Sequence, residues 1–362
     1  MHGYMRSQQV GETVMVTGNP DCRTEAYLFV HFTGDEEAAT DEQLYFALSR
    51  DGIHWTDLRR RGDPILTWTQ GERGVRDPFI TRGPDGVFHI LATDLSIYHR
   101  GGWSEQASVD GSTGLVIWES SDLIHWEEPR LVDVASAIPG AGMAWAPEAS
   151  WDSLQNQWIV YWSTRAASDL PDHPLANSLG EAVNMYYAVS KDLRTFSAPV
   201  KWIDRRADII DTTMIQTEDG WWYRASKDDQ ISIERTRNPY AVSGEVVRTD
   251  DPDQWSYVGS LTDILGRGRY SSRYLEGPEL FLYNDRDASD PDRGPMPFGL
   301  MCDQFEEARG YLTFRSANLA SADPRDWQAL EGIDYGDLKK RHGAIMPITT
   351  AEYQALEAAF RR

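Results

Sequence analysis

Four short segments of this chain each carry an acid at the start of a strand-like run: Arg76-Asp77-Pro78-Phe79-Ile80, Trp145-Ala146-Pro147-Glu148, Ile210-Asp211-Thr212-Thr213-Met214-Ile215 and Leu275-Glu276-Gly277-Pro278-Glu279. One such acid alone is ordinarily a solvated or turn-capping carboxylate. A set in matching places is different, because converging carboxylates repel one another and cost stability. Glycoside hydrolysis is the chemistry that suits such a set. One carboxyl keeps its proton and gives it to the leaving oxygen, and another is ionised to activate water or attack directly. A third carboxylate nearby raises the pKa of the acid by like-charge repulsion.

A repeat supplies the elements that bring these acids together. Ser49-Arg50-Asp51-Gly52-Ile53-His54-Trp55 returns as Ser121-Asp122-Leu123-Ile124-His125-Trp126, as Ser190 to Phe196 and, loosely, as Ser321 to Trp327. Each copy places an Asp four positions before an aromatic, after a run that alternates like a strand. Near Arg237-Asn238-Pro239 the copy has degenerated. A small β-unit repeated around an axis is the economical reading. It predicts an all-β chain, a five-bladed β-propeller with about four strands per blade, whose first strands line a central channel. The run Gly343-Ala344-Ile345-Met346-Pro347-Ile348 has no unit of its own, and the first unit lacks an innermost strand. Pairing the two closes the ring and protects its edges. The expected organisation is an irregular lead-in over residues 1–25, one propeller over 26–349 and a short helical tail over 350–362.

Composition agrees. The 362 residues include 14 Trp, 16 Tyr and 11 Phe, an enrichment that suits sheets and sugar-stacking surfaces. A net charge of −22 disfavours nucleic acid and anionic membranes and leaves neutral substrates open. The two cysteines, Cys22 and Cys302, form no disulfide framework or metal spacing. The first residues lack a basic start followed by an apolar run, so a cytoplasmic location is expected.

The order of the four acid segments, closed by Arg341-His342-Gly343, resembles glycoside hydrolase family 43 over roughly residues 26–349. That resemblance implies a five-bladed propeller of inverting arabinofuranosidases, xylosidases and arabinanases. It implies Asp77 as general base, Asp211 as the residue that tunes and orients the acid, and Glu276 as general acid. It implies no required cofactor. His342 matches a family histidine near the channel that often meets a bound calcium or its water shell, which makes a structural calcium an expectation. The chain departs from the family pattern in three places: a nearly complete blade precedes the base, Thr212 follows Asp211, and Glu148 ends the Trp-Ala-Pro motif. Asp208 and Glu279 are neighbouring competitors for Asp211 and Glu276. Trp145 is the candidate stacking platform, Trp103 the candidate pocket wall, and Glu148 a candidate substrate contact.

The expected function is inverting release of terminal arabinose or xylose from small plant-derived oligosaccharides, with α-L-arabinofuranosidase ahead of β-xylosidase. A non-catalytic glycan-binding propeller and a sialidase-like retaining hydrolase are the more distant readings. The sialidase turn motif needs a Gly two residues after its Asp, whereas Gly52 directly follows Asp51. Oligomeric state is not legible.

Overall fold

The computed structural model describes residues 23–59, 63–167, 180–268, 270, 274–305 and 310–361. Cys22 and most of the expected lead-in lie outside them. Among the described residues the strands form five four-stranded antiparallel sheets and one small two-stranded ribbon.

Blade 1 is built from Arg341–Thr349 innermost, then Thr24–Phe32, Tyr45–Ser49 and Trp55–Asp57. The C-terminal strand therefore completes the N-terminal blade, with Leu28 opposite Met346 and Val30 opposite Ala344. Blade 2 runs outward from Val75–Arg82, blade 3 from Trp145–Asp152, blade 4 from Ile210–Gln216 and blade 5 from Glu276–Leu282. These five inner strands touch in ring order, and blade 5 meets the inner strand of blade 1. The fold is a closed five-bladed propeller.

Alternation explains the ring. In Tyr27-Leu28-Phe29-Val30, side chains point to opposite faces in turn, and both faces are buried. Leu28 and Val30 pack with Ile80, Phe88 and Ile90 of blade 2. Tyr27 and Phe29 pack with Phe281, Met301 and Tyr311 of blade 5. Each remaining junction has its own apolar cluster: Leu91 with Trp158 and Trp162, Tyr161 with Trp202 and Trp222, and Ile233 with Leu300 and Phe314. Stability is thus divided among blade-to-blade interfaces.

The repeated turn occurs in all five blades. Ser49, Ser120 and Ser190 hydroxyls accept N–H bonds from Asp51, Asp122 and Asp192. Those Asp carboxylates cap the next backbone groups, for example from Ile53 and His54 at 2.9 Å. In blade 4 Thr236 and Asn238 perform the same two jobs, so the copy that looks degenerate in the sequence is the same turn with other side chains. In blade 5 the turn is Ser316 and Asn318, not the loose Ser321–Trp327 copy. Trp327 still pairs back onto Ser316, as Trp55 does onto Ser49, across an inserted 3-10 turn at Pro324–Asp326.

Two features lock the closure. The buried Lys340 ammonium lies 2.7 Å from the buried Asp57 carboxylate. The second Asp57 oxygen accepts from the N–H groups of Asp337 and Leu338 at 2.8 and 2.9 Å. The tail forms a helix, Thr350–Phe360, opened by a Thr349/Glu352 capping box. Its Tyr353 and Leu356 join the cluster between blades 1 and 2. No described helix is long and apolar enough to cross a membrane.

Candidate active site

All five inner strands break register near their first residues. The irregularities fall between Arg76 and Phe79, Trp145 and Glu148, Ile210 and Thr213, and Glu276 and Glu279, with a matching one at Arg341 in blade 1. In four blades the residue after the first has left-handed backbone: Asp77 at φ 51°, Ala146 at 47°, Asp211 at 53° and Gly277 at 52°. For a non-glycine this conformation is costly and needs support from its surroundings. The bulge bends the chain at the channel mouth, so that in blades 1, 2 and 4 two successive side chains line one pocket: Arg341 and His342, Arg76 and Asp77, Ile210 and Asp211.

This geometry corrects the expectation that the four acids occupy equivalent positions. Asp77 and Asp211 are equivalent, and His342 holds the same place in blade 1. Glu276 stands one residue earlier, level with Arg76, Trp145, Ile210 and Arg341. Glu148 stands at the far end of its bulge, level with Glu279. A pocket of about 390 Å³ is lined by all of the first group, by Asp77, Asp211 and His342, and by Trp103. Glu148 is not among its lining residues. It is buried deeper in the channel, where its carboxyl bonds that of Glu279 and accepts from the Tyr161 hydroxyl at 2.9 Å. The expected substrate contact through Glu148 therefore gives way to a buried acid pair. Of the competitors, Glu279 is that pair's other member, and Asp208 caps the Val183 N–H at 2.9 Å outside the pocket lining.

The three remaining acids differ in environment. Asp77 accepts from the Thr93 hydroxyl at 2.9 Å and lies 3.2 Å from His342 Nδ1. Burial pushes its pKa up, but the His342 ring, the Arg76 charge and Thr93 outweigh burial and hold it below the ordinary value. Asp211 is raised, by burial and by the charge of Asp77, against the pull of His342 and the Gly277 N–H. That N–H reaches Asp211 Oδ2 at 3.0 Å. Glu276 is raised to about 7, by burial first and then by Asp211 and Asp303, against Lys227 and Arg341. Its carboxylate meets Arg341 Nη2 at 2.9 Å and Lys227 Nζ at 3.8 Å. One ionised and one proton-holding carboxyl thus share a pocket, the combination acid–base hydrolysis needs.

His342 lies between Asp77 and Asp211, 3.8 Å from the latter. Burial lowers its pKa, but the two carboxylates outweigh this and raise it to about 10, so the ring is an imidazolium. No three His, Cys, Asp or Glu side chains among the described residues are grouped to hold a metal ion. Calcium takes oxygen ligands, and the His342 ring offers only nitrogen. This donor set does not fit a calcium held through His342.

Trp145 and Trp103 meet edge to face with centroids 6.3 Å apart, and both line the pocket. Trp103 is 56% exposed, and its indole N–H reaches Glu36 Oε1 at 2.9 Å. Glu36 also binds Arg76 at 2.8 Å, and the Arg76 guanidinium lies over the rings of Phe32 and Trp103. Sequence patterns do not single out Thr93, Lys227, Asp303 or Glu36. The first three share a signal visible only with the register. Each stands directly across the ladder from the residue that opens an inner-strand bulge: Thr93 opposite Arg76, Lys227 opposite Ile210, Asp303 opposite Glu276.

The model of a family described as a probable glycosyl hydrolase domain, related to glycoside hydrolase family 43, matches residues 23–354. The chain belongs to that family. Within this family 43-related domain, 310 residues are 30% identical to an α-L-arabinofuranosidase of Bifidobacterium longum subsp. longum, covering 78% of the chain and 28% of the relative. The chain thus spans little more than a quarter of that relative's length. Among solved structures, an α-L-arabinofuranosidase from Fusarium graminearum is 13% identical at a TM-score of 0.46, covering 80% of this chain and 74% of the other. An exo-β-1,3-galactanase from Phanerochaete chrysosporium is 15% identical at a TM-score of 0.45, covering 77% and 52%.

Proposed function

We propose that this glycosyl hydrolase domain releases terminal pentose residues from oligosaccharides with inversion, and that α-L-arabinofuranosyl groups are its preferred substrate. The observation that carries the reading is the opposite displacement of two acids in one pocket: Asp77 held ionised by His342, Glu276 raised to about 7. Asp77 takes a proton from a water as that water attacks the anomeric carbon. Glu276 gives its proton to the departing oxygen from the other side of the ring. Asp211 keeps Glu276 protonated through its charge, and Trp145 offers an aromatic face to the sugar. The likeness to the Bifidobacterium enzyme supports arabinose ahead of xylose.

The test compares aryl α-L-arabinofuranosides and aryl β-xylosides of poor and good leaving ability. Glu276→Ala should lose on the order of 10²–10⁴-fold in kcat/KM with the poor leaving group and far less with the good one. Asp77→Ala should lose activity on both alike. Product anomers read by NMR should be inverted. Retained configuration, or equal activity of Glu276→Ala and the parent on the poor leaving group, overturns the assignment. Faster β-xyloside turnover would move the specificity to xylose and leave the mechanism standing.

A further inference from the structure

A second cleft, of about 260 Å³, opens between blades 2 and 3. Its walls come from the far ends of the inner strands: the turn after Val75–Arg82 and Trp151 near the end of Trp145–Asp152. The bulges that build the catalytic pocket lie at the opposite ends of those strands. The cleft therefore opens on the other face of the propeller.

Its lining is specific. Trp151, half-buried, meets Trp158 edge to face at 5.3 Å, and Trp158 meets His89 at 5.9 Å. His89 is 6% exposed, and its Nδ1 has no hydrogen-bond partner among the described residues. The nearest acid, Glu119, stands 3.7 Å from that nitrogen, too far for a good bond, and is bonded to Arg130 and Arg194 instead. Asp85, Glu119 and Asp192 line the cleft against Lys191 and Arg194, so acids outnumber bases by three to two. That balance, within a chain of net charge −22, does not attract an anion. Aromatic rings beside hydrogen-bonding groups of both kinds suit the apolar face and hydroxyls of a sugar.

We infer that this cleft binds one neutral sugar ring and anchors glycan on the face away from catalysis. The ligand class rests on this lining and on the chain's place among glycosyl hydrolase domains, not on the catalytic roles proposed above. A second contact of this kind raises the effective concentration of a long or branched substrate without adding any contact at the catalytic pocket.

The test follows indole signals of the full ¹⁵N-labelled chain during titration with L-arabinose, D-xylose, D-galactose and the anionic D-glucuronate. The Trp151 signal is assigned by its loss in Trp151→Phe and the Trp145 signal by its loss in Trp145→Phe. At least one neutral sugar should shift Trp151 saturably, and glucuronate should bind more weakly. Lys191→Ala, an exposed change that spares the core, should weaken that binding about threefold or more. The inference is overturned if no neutral sugar moves Trp151, if glucuronate binds there more tightly, or if Lys191→Ala leaves the affinity unchanged. Movement of Trp145 without Trp151 rejects the cleft and leaves the catalytic proposal intact. Movement of Trp151 without Trp145 supports the cleft and leaves hydrolysis to its own assay.

Discussion

Glu276 has charges of both signs around it, and their balance sets the pH at which it can act as an acid. Burial raises its pKa, Asp211 and Asp303 raise it further, and Lys227 and Arg341 oppose them, leaving it at about 7. A general acid must carry its proton, so activity should fall as pH rises through about 7. Asp77 is displaced the other way and stays ionised to below the ordinary carboxylate range, so the acid limb should lie low. Asp211→Asn removes a negative neighbour and should move the alkaline limb of kcat/KM to lower pH, by on the order of one unit. Arg341→Gln removes a positive neighbour and should move the same limb upward. The two shifts have opposite signs, which general loss of structure cannot produce. An unmoved limb in Asp211→Asn would mean that Asp211 serves only to hold the Gly277 N–H.

The bulge is the element that converts a strand into a site. Its left-handed residue is Asp77 in blade 2, Asp211 in blade 4 and Gly277 in blade 5, and the last has a steric reason for being glycine. A Cβ at Gly277 would lie 2.7 Å from the His342 ring, which is itself held by two carboxylates. Gly277→Ala should therefore combine backbone strain with displacement of His342, lowering kcat and Tm together. Gly86, at φ 84° with open space for 4 Å around the position a Cβ would take, isolates the backbone part. Gly86→Ala should cost about 1 kcal/mol and leave kcat unchanged. Equal losses in the two variants would show that the His342 contact is unimportant. The bulge also marks the boundary of what the sequence makes legible. Period-two alternation and the recurring Asp four positions before an aromatic are enough to count blades and pair the last strand with the first. They also point to four acids, Asp77, Glu148, Asp211 and Glu276, of which the resemblance to family 43 singles out Asp77, Asp211 and Glu276. Alternation assumes an unbroken strand, however, so it cannot show that Glu148 and Glu276 sit at different levels. For the same reason Lys227 and Asp303 stay hidden, since they become neighbours of Glu276 only once the ladder register is known. Side-chain identity misplaces the turn of blade 5, because Asn318 does the work of Asp there.

Seen as a whole, the propeller is five apolar wedges around an axis, and the axis is where polar groups from different blades must meet. Below the catalytic pocket Glu148 of blade 3 bonds Glu279 of blade 5, and Thr213 of blade 4 bonds both. Burial raises both carboxyls: Glu148 to about 7, and Glu279 well above its ordinary value, with the Glu148 charge adding to it. Two carboxyls in this contact are stable when they share a proton and repel when both are ionised. In the unfolded chain each glutamate loses its proton near its ordinary value of 4.5. Between that value and about 7 the folded state holds more protons than the unfolded one, so stability falls as pH rises. The contribution of the pair is complete below the unfolded value and is lost as pH climbs through the folded one. Glu279→Gln replaces one acid with an amide that cannot ionise, and it keeps a donor for Glu148. The Tm of the parent should then drop relative to that of Glu279→Gln as pH is raised from about 5 to about 8. His342, Asp211 and Glu276 titrate in both proteins, so the difference between the two curves reports the pair. A Tm difference that stays constant across this range would mean that the proton is not shared and that blades 3 and 5 are joined at the axis by packing alone.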